Sequence, residues 1–158
     1  MNCAVGTTGT VSTSVDTNIL SAIVNQESNA RLLAGLLGEL TVDGPLVISA
    51  PVWVELAALP FSTPERVQSF LRQSNIRVEF DLPRPIWEAA ATAYAQYVGR
   101  RRQSAGGLPR RLVTDFVIGA HALLTAGRLI TMDARFFGES FPGLELVTIP
   151  GTTTLAAT

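Results

Sequence analysis

The sequence predicts an α/β domain, a central parallel sheet of four to five strands with helices on both faces. Short β-branched or apolar runs recur along the chain at Val11–Val15, Leu46–Ile48, Ile76–Phe80, Arg128–Thr131 and Leu144–Val147. Between them lie longer stretches with apolar residues at helical spacing. Strands alternating with helical crossovers pair in parallel, through right-handed connections. At 158 residues, 47% of them hydrophobic, the chain can bury one sizeable core.

Each element has a local reason. Val11–Val15 alternates and is β-branched, although Ser12-Thr-Ser14 makes it a polar strand. Asp16 then precedes a helical stripe of Ile19, Leu20 and Ile23. A leucine-rich helix over Ala30–Leu40 is closed by Asp43-Gly44-Pro45. Leu46–Ile48 is a buried strand. Ser49 and Pro51 open a helix with Val52, Glu55, Leu56 and Leu59 on one face, and Pro60 stops it. Thr63-Pro64-Glu65 starts the next helix, a cap followed by proline, which runs to about Gln73.

Ile76–Phe80 alternates as a third strand, and an alanine-rich helix follows from about Pro85 to Arg102. Gly106, Gly107 and Pro109 mark a loop, Asp115 to Ala126 a helix, and Arg128–Thr131 a strand that delivers Met132 and Asp133. Leu144–Val147 closes the sheet at an edge. Residues 1–10 read as a flexible extension, 11–150 as the folded domain and 151–158 as a loose tail.

The formal net charge of −1 excludes a bulk basic field of the kind that draws many proteins to nucleic acid. The distribution is more informative: all 12 basic residues are arginine. Arg100, Arg101, Arg102, Arg110 and Arg111 flank the segment leading into Asp115. Their planar forks suit phosphate, although taken alone a solvated helix end and loop is the better account of them. No apolar run approaches the roughly 20 residues of a membrane span. Met1–Thr10 has neither a basic nor an apolar leader region, so a cytoplasmic protein is expected. The lone Cys3 has no cysteine partner for a disulfide or a zinc site.

Four acids carry the chemistry: Asp16, Glu55, Asp115 and Asp133. Asp16 and Asp133 directly follow strands, and in open parallel sheets sites form beyond the carboxyl ends of strands. Each aspartate precedes helical residues and has a capping explanation. Glu55 has none, because it lies on a stripe that should pack inward, where an unpaired carboxylate costs several kcal/mol. Gathering the four would raise their pKa values through mutual repulsion. A divalent cation reverses that penalty, and hard Mg²⁺ or Mn²⁺ prefers carboxylate oxygens. Asn18 and Thr131, two residues from Asp16 and Asp133, read either as groups that orient the carboxylates or as turn and cap residues. His121 lies about 120° around the helix from Asp115 and reads as a packing histidine.

Asp16-Thr-Asn-Ile-Leu20, Val52-Trp-Val-Glu55-Leu56, Thr114-Asp115-Phe-Val-Ile-Gly-Ala-His-Ala122 and Leu129-Ile-Thr-Met-Asp133-Ala-Arg-Phe-Phe137 together resemble the PIN-domain nucleases. Their order resembles the VapC-like toxins of type II toxin–antitoxin pairs in particular. The resemblance implies a metal-dependent endoribonuclease with Asp16, Glu55, Asp115 and Asp133 as its acidic quartet. Asp16, Asp115 and Asp133 would be the metal ligands, with Mg²⁺ as the expected cofactor and Mn²⁺ as a substitute. It further implies a homodimer, inhibited by a small antitoxin that inserts a segment into or near the site. On that reading the five arginines hold the RNA backbone on either side of the cut. Two other readings of the same residues are a housekeeping RNA-processing nuclease without an antitoxin and a noncatalytic protein-binding module. VapC-like chains often reach the first aspartate within a few residues, whereas fifteen precede Asp16 here.

Overall fold

The computed structural model describes residues 10–104 and 110–151. Residues 1–9 of the expected extension, 105–109 in the expected loop and 152–158 of the expected tail lie outside the described residues. Five parallel strands form one sheet: β1 (Thr13–Val15), β2 (Leu46–Ser49), β3 (Ile76–Glu79), β4 (Arg128–Ile130) and β5 (Glu145–Val147), in the order β3-β2-β1-β4-β5. The chain walks outward from β1 through β2 to β3, then returns to pair β4 with the other side of β1. With right-handed crossovers, that reversal puts the helices before β3 on one face and those after it on the other. β1 and β2 are buried along their whole length, as strands covered on both faces must be.

The helices are α1 (Thr17–Val24), α2 (Ala30–Leu40), α3 (Ala50–Ala57), α4 (Pro64–Gln73), α5 (Arg84–Gln103), α6 (Val113–His121) and α7 (Ala134–Ser140). Asp16 caps α1 through the amide of Thr17, Thr63 caps α4 through that of Arg66, and Asp133 caps α7 through that of Phe136. The core is aliphatic around Ile19, Leu20, Ile48 and Leu56. Beside α6 it becomes aromatic, where Tyr94, Tyr97, Phe116, Phe136 and Phe137 pack edge to face or tilted.

Most boundaries shift from the sequence reading by a residue or so, and three differences have a physical cause. The first strand is only Thr13–Val15, and its polar residues are fully buried. The Thr13 hydroxyl accepts a 2.6 Å hydrogen bond from Arg128, whereas Ser14 Oγ has no partner among the described residues. The helix expected from Asp115 begins two residues earlier, because the Asp115 carboxylate reaches back to accept from the amide of Leu112 at 3.1 Å. That helix also does not run evenly to Ala126. After His121 it widens into a π-helical turn, Ala122–Ala126, which Gly127 ends at φ +84°, a conformation that favours glycine.

Candidate functional site

The strand order changes direction between β1 and β4, and there the carboxyl ends of two adjacent strands splay apart into a crevice. Asp16 leaves the end of β1, and Thr131 and Asp133 leave the end of β4. Glu55 comes in from α3, and Asp115 from the first turn of α6. All four acids line one cleft of about 320 Å³, with Thr17, Asn18, Ser21, Arg111 and Phe137 completing its wall. Four elements far apart in sequence thus deliver the acids to the place where topology leaves an opening.

The acids are not equivalent. Asp16 is buried, and its Oδ1 accepts from the Thr17 amide at 2.8 Å while its Oδ2 accepts from the Thr131 hydroxyl at 2.7 Å. Burial pushes its pKa up to about 6; those two hydrogen bonds oppose the shift, and Asp115 and Glu55 add to it. Asp115 is raised as well, first by burial, then by Glu55 and Asp133, against the lowering effect of the Leu112 amide and Arg111. Glu55 sits on α3 beside the buried Leu56, half-buried at the cleft, and the Thr17 hydroxyl donates to its Oε2. Asp133 accepts from the Phe136 amide at its Oδ1 and pairs with Arg111 at its Oδ2.

Thr131 is the hub of this arrangement. Its hydroxyl donates to Asp16 and accepts from the Asn18 side-chain amide at 3.3 Å and from the Asp133 backbone amide at 3.0 Å. The Asn18 side-chain oxygen Oδ1 accepts from the amide of Met132 at 3.2 Å, tying α1 to the segment after β4. Asn18 and Thr131 therefore connect the loops that carry Asp16 and Asp133. Thr17 was not singled out from sequence; its place directly after Asp16, opposite an unpaired Glu55, was the available signal.

His121 is remote from the cleft. It is fully buried, with Nε2 2.6 Å from Glu79 Oε2 at the end of β3, so it acts as a packing histidine. Gly119, four residues after Asp115 on α6, lets Phe141 pack against the helix: a Cβ there would stand 2.2 Å from its ring. Of the five arginines, Arg111 enters the cleft. Arg100 and Arg101 line an adjoining groove of about 490 Å³, Arg110 gives its amide to the Tyr97 hydroxyl at 3.2 Å, and Arg102 is exposed on α5.

The donor set is all oxygen, which suits a hard divalent cation. Glu55 Oε1 and Asp115 Oδ1 take part in no hydrogen bond among the described residues, and burial, aided by the neighbouring acids, pushes Asp16 and Asp115 toward protonation. The acids ring the cleft rather than meet at a point: among the described residues, no three Asp, Glu, His or Cys side chains stand close enough to hold an ion as they are. The side chains fit a cation chemically, and one of them, Asp133, is paired with Arg111.

Fold and cleft together define a class, α/β proteins with an acidic crevice at the switch point of a parallel sheet. Residues 14–138 match the PIN domain, so the chain belongs to the PIN-domain family of nucleases. Its fold is similar to VapBC2 from Rickettsia felis bound to a DNA fragment from their promoter, at 20% identity and a TM-score of 0.58, covering 86% of this chain and 97% of that one. It is also similar to VapBC-1 from nontypeable Haemophilus influenzae, at 19% identity and a TM-score of 0.59, covering 86% of this chain and 96% of that one. At these identities the likeness is one of fold. No curated protein matches the chain by sequence.

Proposed function

We propose that the chain is a divalent-metal-dependent endoribonuclease, the toxin of a type II toxin–antitoxin pair, acting in the cytoplasm as a homodimer. The observation that carries this is the convergence of Asp16, Glu55, Asp115 and Asp133 on one cleft, with the pKa values of Asp16 and Asp115 raised. Asp16, Asp115 and Asp133 would hold Mg²⁺, or Mn²⁺ in its place, and Glu55 completes the acidic wall. The bound cation supplies Lewis acidity at the phosphate and a water of lowered pKa. Thr131 and Asn18 fix the angle between Asp16 and Asp133, the orienting task of groups behind a metal ligand. Arg100, Arg101, Arg102, Arg110 and Arg111 hold the phosphates on either side of the cut, positioning the strand without reading its bases.

The antitoxin half of the proposal is supported by neighbours of the same fold solved as VapBC complexes. The chain also offers such a partner an apolar surface: a groove of about 580 Å³ between α1, α3 and α4, rimmed by Phe61, which is 92% exposed. Among the described residues, no helix is long and apolar enough to cross a membrane.

The test is cleavage of single-stranded RNA by the purified chain in Mg²⁺ and in excess EDTA, followed by sequencing of the RNA ends. Defined internal ends that form in Mg²⁺ and vanish in EDTA are expected. Cleavage undiminished by EDTA would overturn the metal-dependent chemistry, and cleavage of DNA alone would overturn the substrate.

A further inference from the structure

Arg111 is the one cation among the described residues lining the acidic cleft. Its Nη2 pairs with Asp133 Oδ2, and its guanidinium carbon stands 4.3 Å above the centre of the Phe136 ring. The same side chain lines the adjoining groove, where Arg100, Arg101 and Arg135 outnumber Asp133 and Glu139. Arg111 therefore stands at the junction of an acidic and a basic compartment, held from below by an aromatic face. Both partners of the ion pair remain about one-third exposed, at 35% and 32%. Pairs so open to water are weak and exchange partners cheaply.

A permanent structural pair fits this geometry poorly. It would tie up an oxygen of a cleft acid in a contact about one-third open to water, at the mouth of a cleft lined by three further acids. A planar guanidinium is also matched to two phosphate oxygens, and the Phe136 ring can support it while its far end changes partner. We propose that Arg111 is an exchangeable ligand of the cleft, resting on Asp133 in the free chain and passing to the phosphodiester at the cut when Asp133 takes up a cation. This rests on the nuclease reading and adds to it a residue that couples cation uptake to phosphate grip.

The test uses Mn²⁺ binding by calorimetry and single-turnover RNA cleavage at saturating Mn²⁺, with wild type, Arg111→Gln, Arg111→Lys and Arg135→Gln. Arg135 is near in space but pairs with Glu139 at 2.9 Å, so its variant controls for the loss of one positive charge. Arg111→Gln should bind Mn²⁺ at least about threefold tighter, because a weak competitor has gone, while Arg135→Gln should match wild type. Cleavage at saturation should fall roughly 10²–10³-fold in Arg111→Gln, the usual effect of losing a contact to developing charge, with partial rescue in Arg111→Lys. Equal Mn²⁺ affinity in Arg111→Gln and wild type, with wild type still cleaving, overturns the exchange and leaves the nuclease reading standing. Tighter Mn²⁺ binding with unchanged cleavage overturns the transfer to phosphate. If no chain binds Mn²⁺, both the nuclease reading and the exchange fall.

Discussion

Glu79 and Asp16 both stand at the carboxyl end of a parallel strand, with only β2 between those strands, yet their electrostatics are opposite. Burial works against the Glu79 carboxylate, but hydrogen bonds from His121 and Arg77 outweigh it and hold its pKa below the ordinary range. Asp16 is more deeply buried and receives hydrogen bonds only from neutral groups, so its pKa rises to about 6. The protein thus supplies a counter-charge to the acid on β3 and denies one to the acid at the switch point. An acid neutralised from within is structural. One left without a partner, beside two further acids, is poised for a cation from outside.

The largest break in this comparison is Asp115→Asn. It keeps the shape and the bond from the Leu112 amide but removes a charge from the cleft, and RNA cleavage should fall by more than the roughly 10–100-fold typical of an outer partner. Retained activity would place the chemistry elsewhere. Thr131→Ala leaves every acid in place and removes the hydroxyl that joins Asp16, Asn18 and Asp133, so a drop of about 10–100-fold in cation affinity or cleavage is expected. A variant indistinguishable from wild type in both would reduce Thr131 to a turn residue.

Asp16→Asn sharpens the contrast in the other direction. An acid whose folded pKa is raised binds its proton more tightly in the folded state. The folded chain therefore loses stability as pH climbs from the ordinary 3.8 to about 6, and the loss persists above that window. Removing the charge should stabilise the cation-free chain at pH 7 by about 1–3 kcal/mol in urea unfolding, and should abolish any rise in melting temperature on adding Mn²⁺. A destabilised variant would mean that the hydrogen bonds Asp16 accepts from Thr17 and Thr131 outweigh the cost of its buried charge. His121→Gln should do the reverse at the structural site, costing about 1–3 kcal/mol while leaving Mn²⁺ affinity unaltered. A matching loss of Mn²⁺ affinity would show that the two regions are coupled through α6.

Much of this contrast is legible in the sequence and some is not. The strands and helices follow from periodicity and caps, and α2 and α4 fall where Ala30–Leu40 and Thr63-Pro64 put them. Asp16 and Asp133 are readable because each directly follows a strand, and Glu55 because it breaks an apolar stripe. The helix entry at Val113 is not, since it depends on the Asp115 side chain folding back to the Leu112 amide rather than on any residue type at the boundary. Nor is the π-helical turn after His121, where apolar Ala122, Leu123 and Leu124 give an even helix no reason to widen. The pairs Arg111–Asp133 and Glu79–His121 join residues 22 and 42 positions apart, and only the packed fold brings them together.

The most direct test of the central claim is calorimetric titration of Mn²⁺ into the wild-type chain and into Asp115→Asn at pH 7. The account predicts saturable binding in the wild type and its loss in the variant, with both chains equally folded by circular dichroism. Equal binding by the two chains, or none by a well-folded wild type, would contradict it.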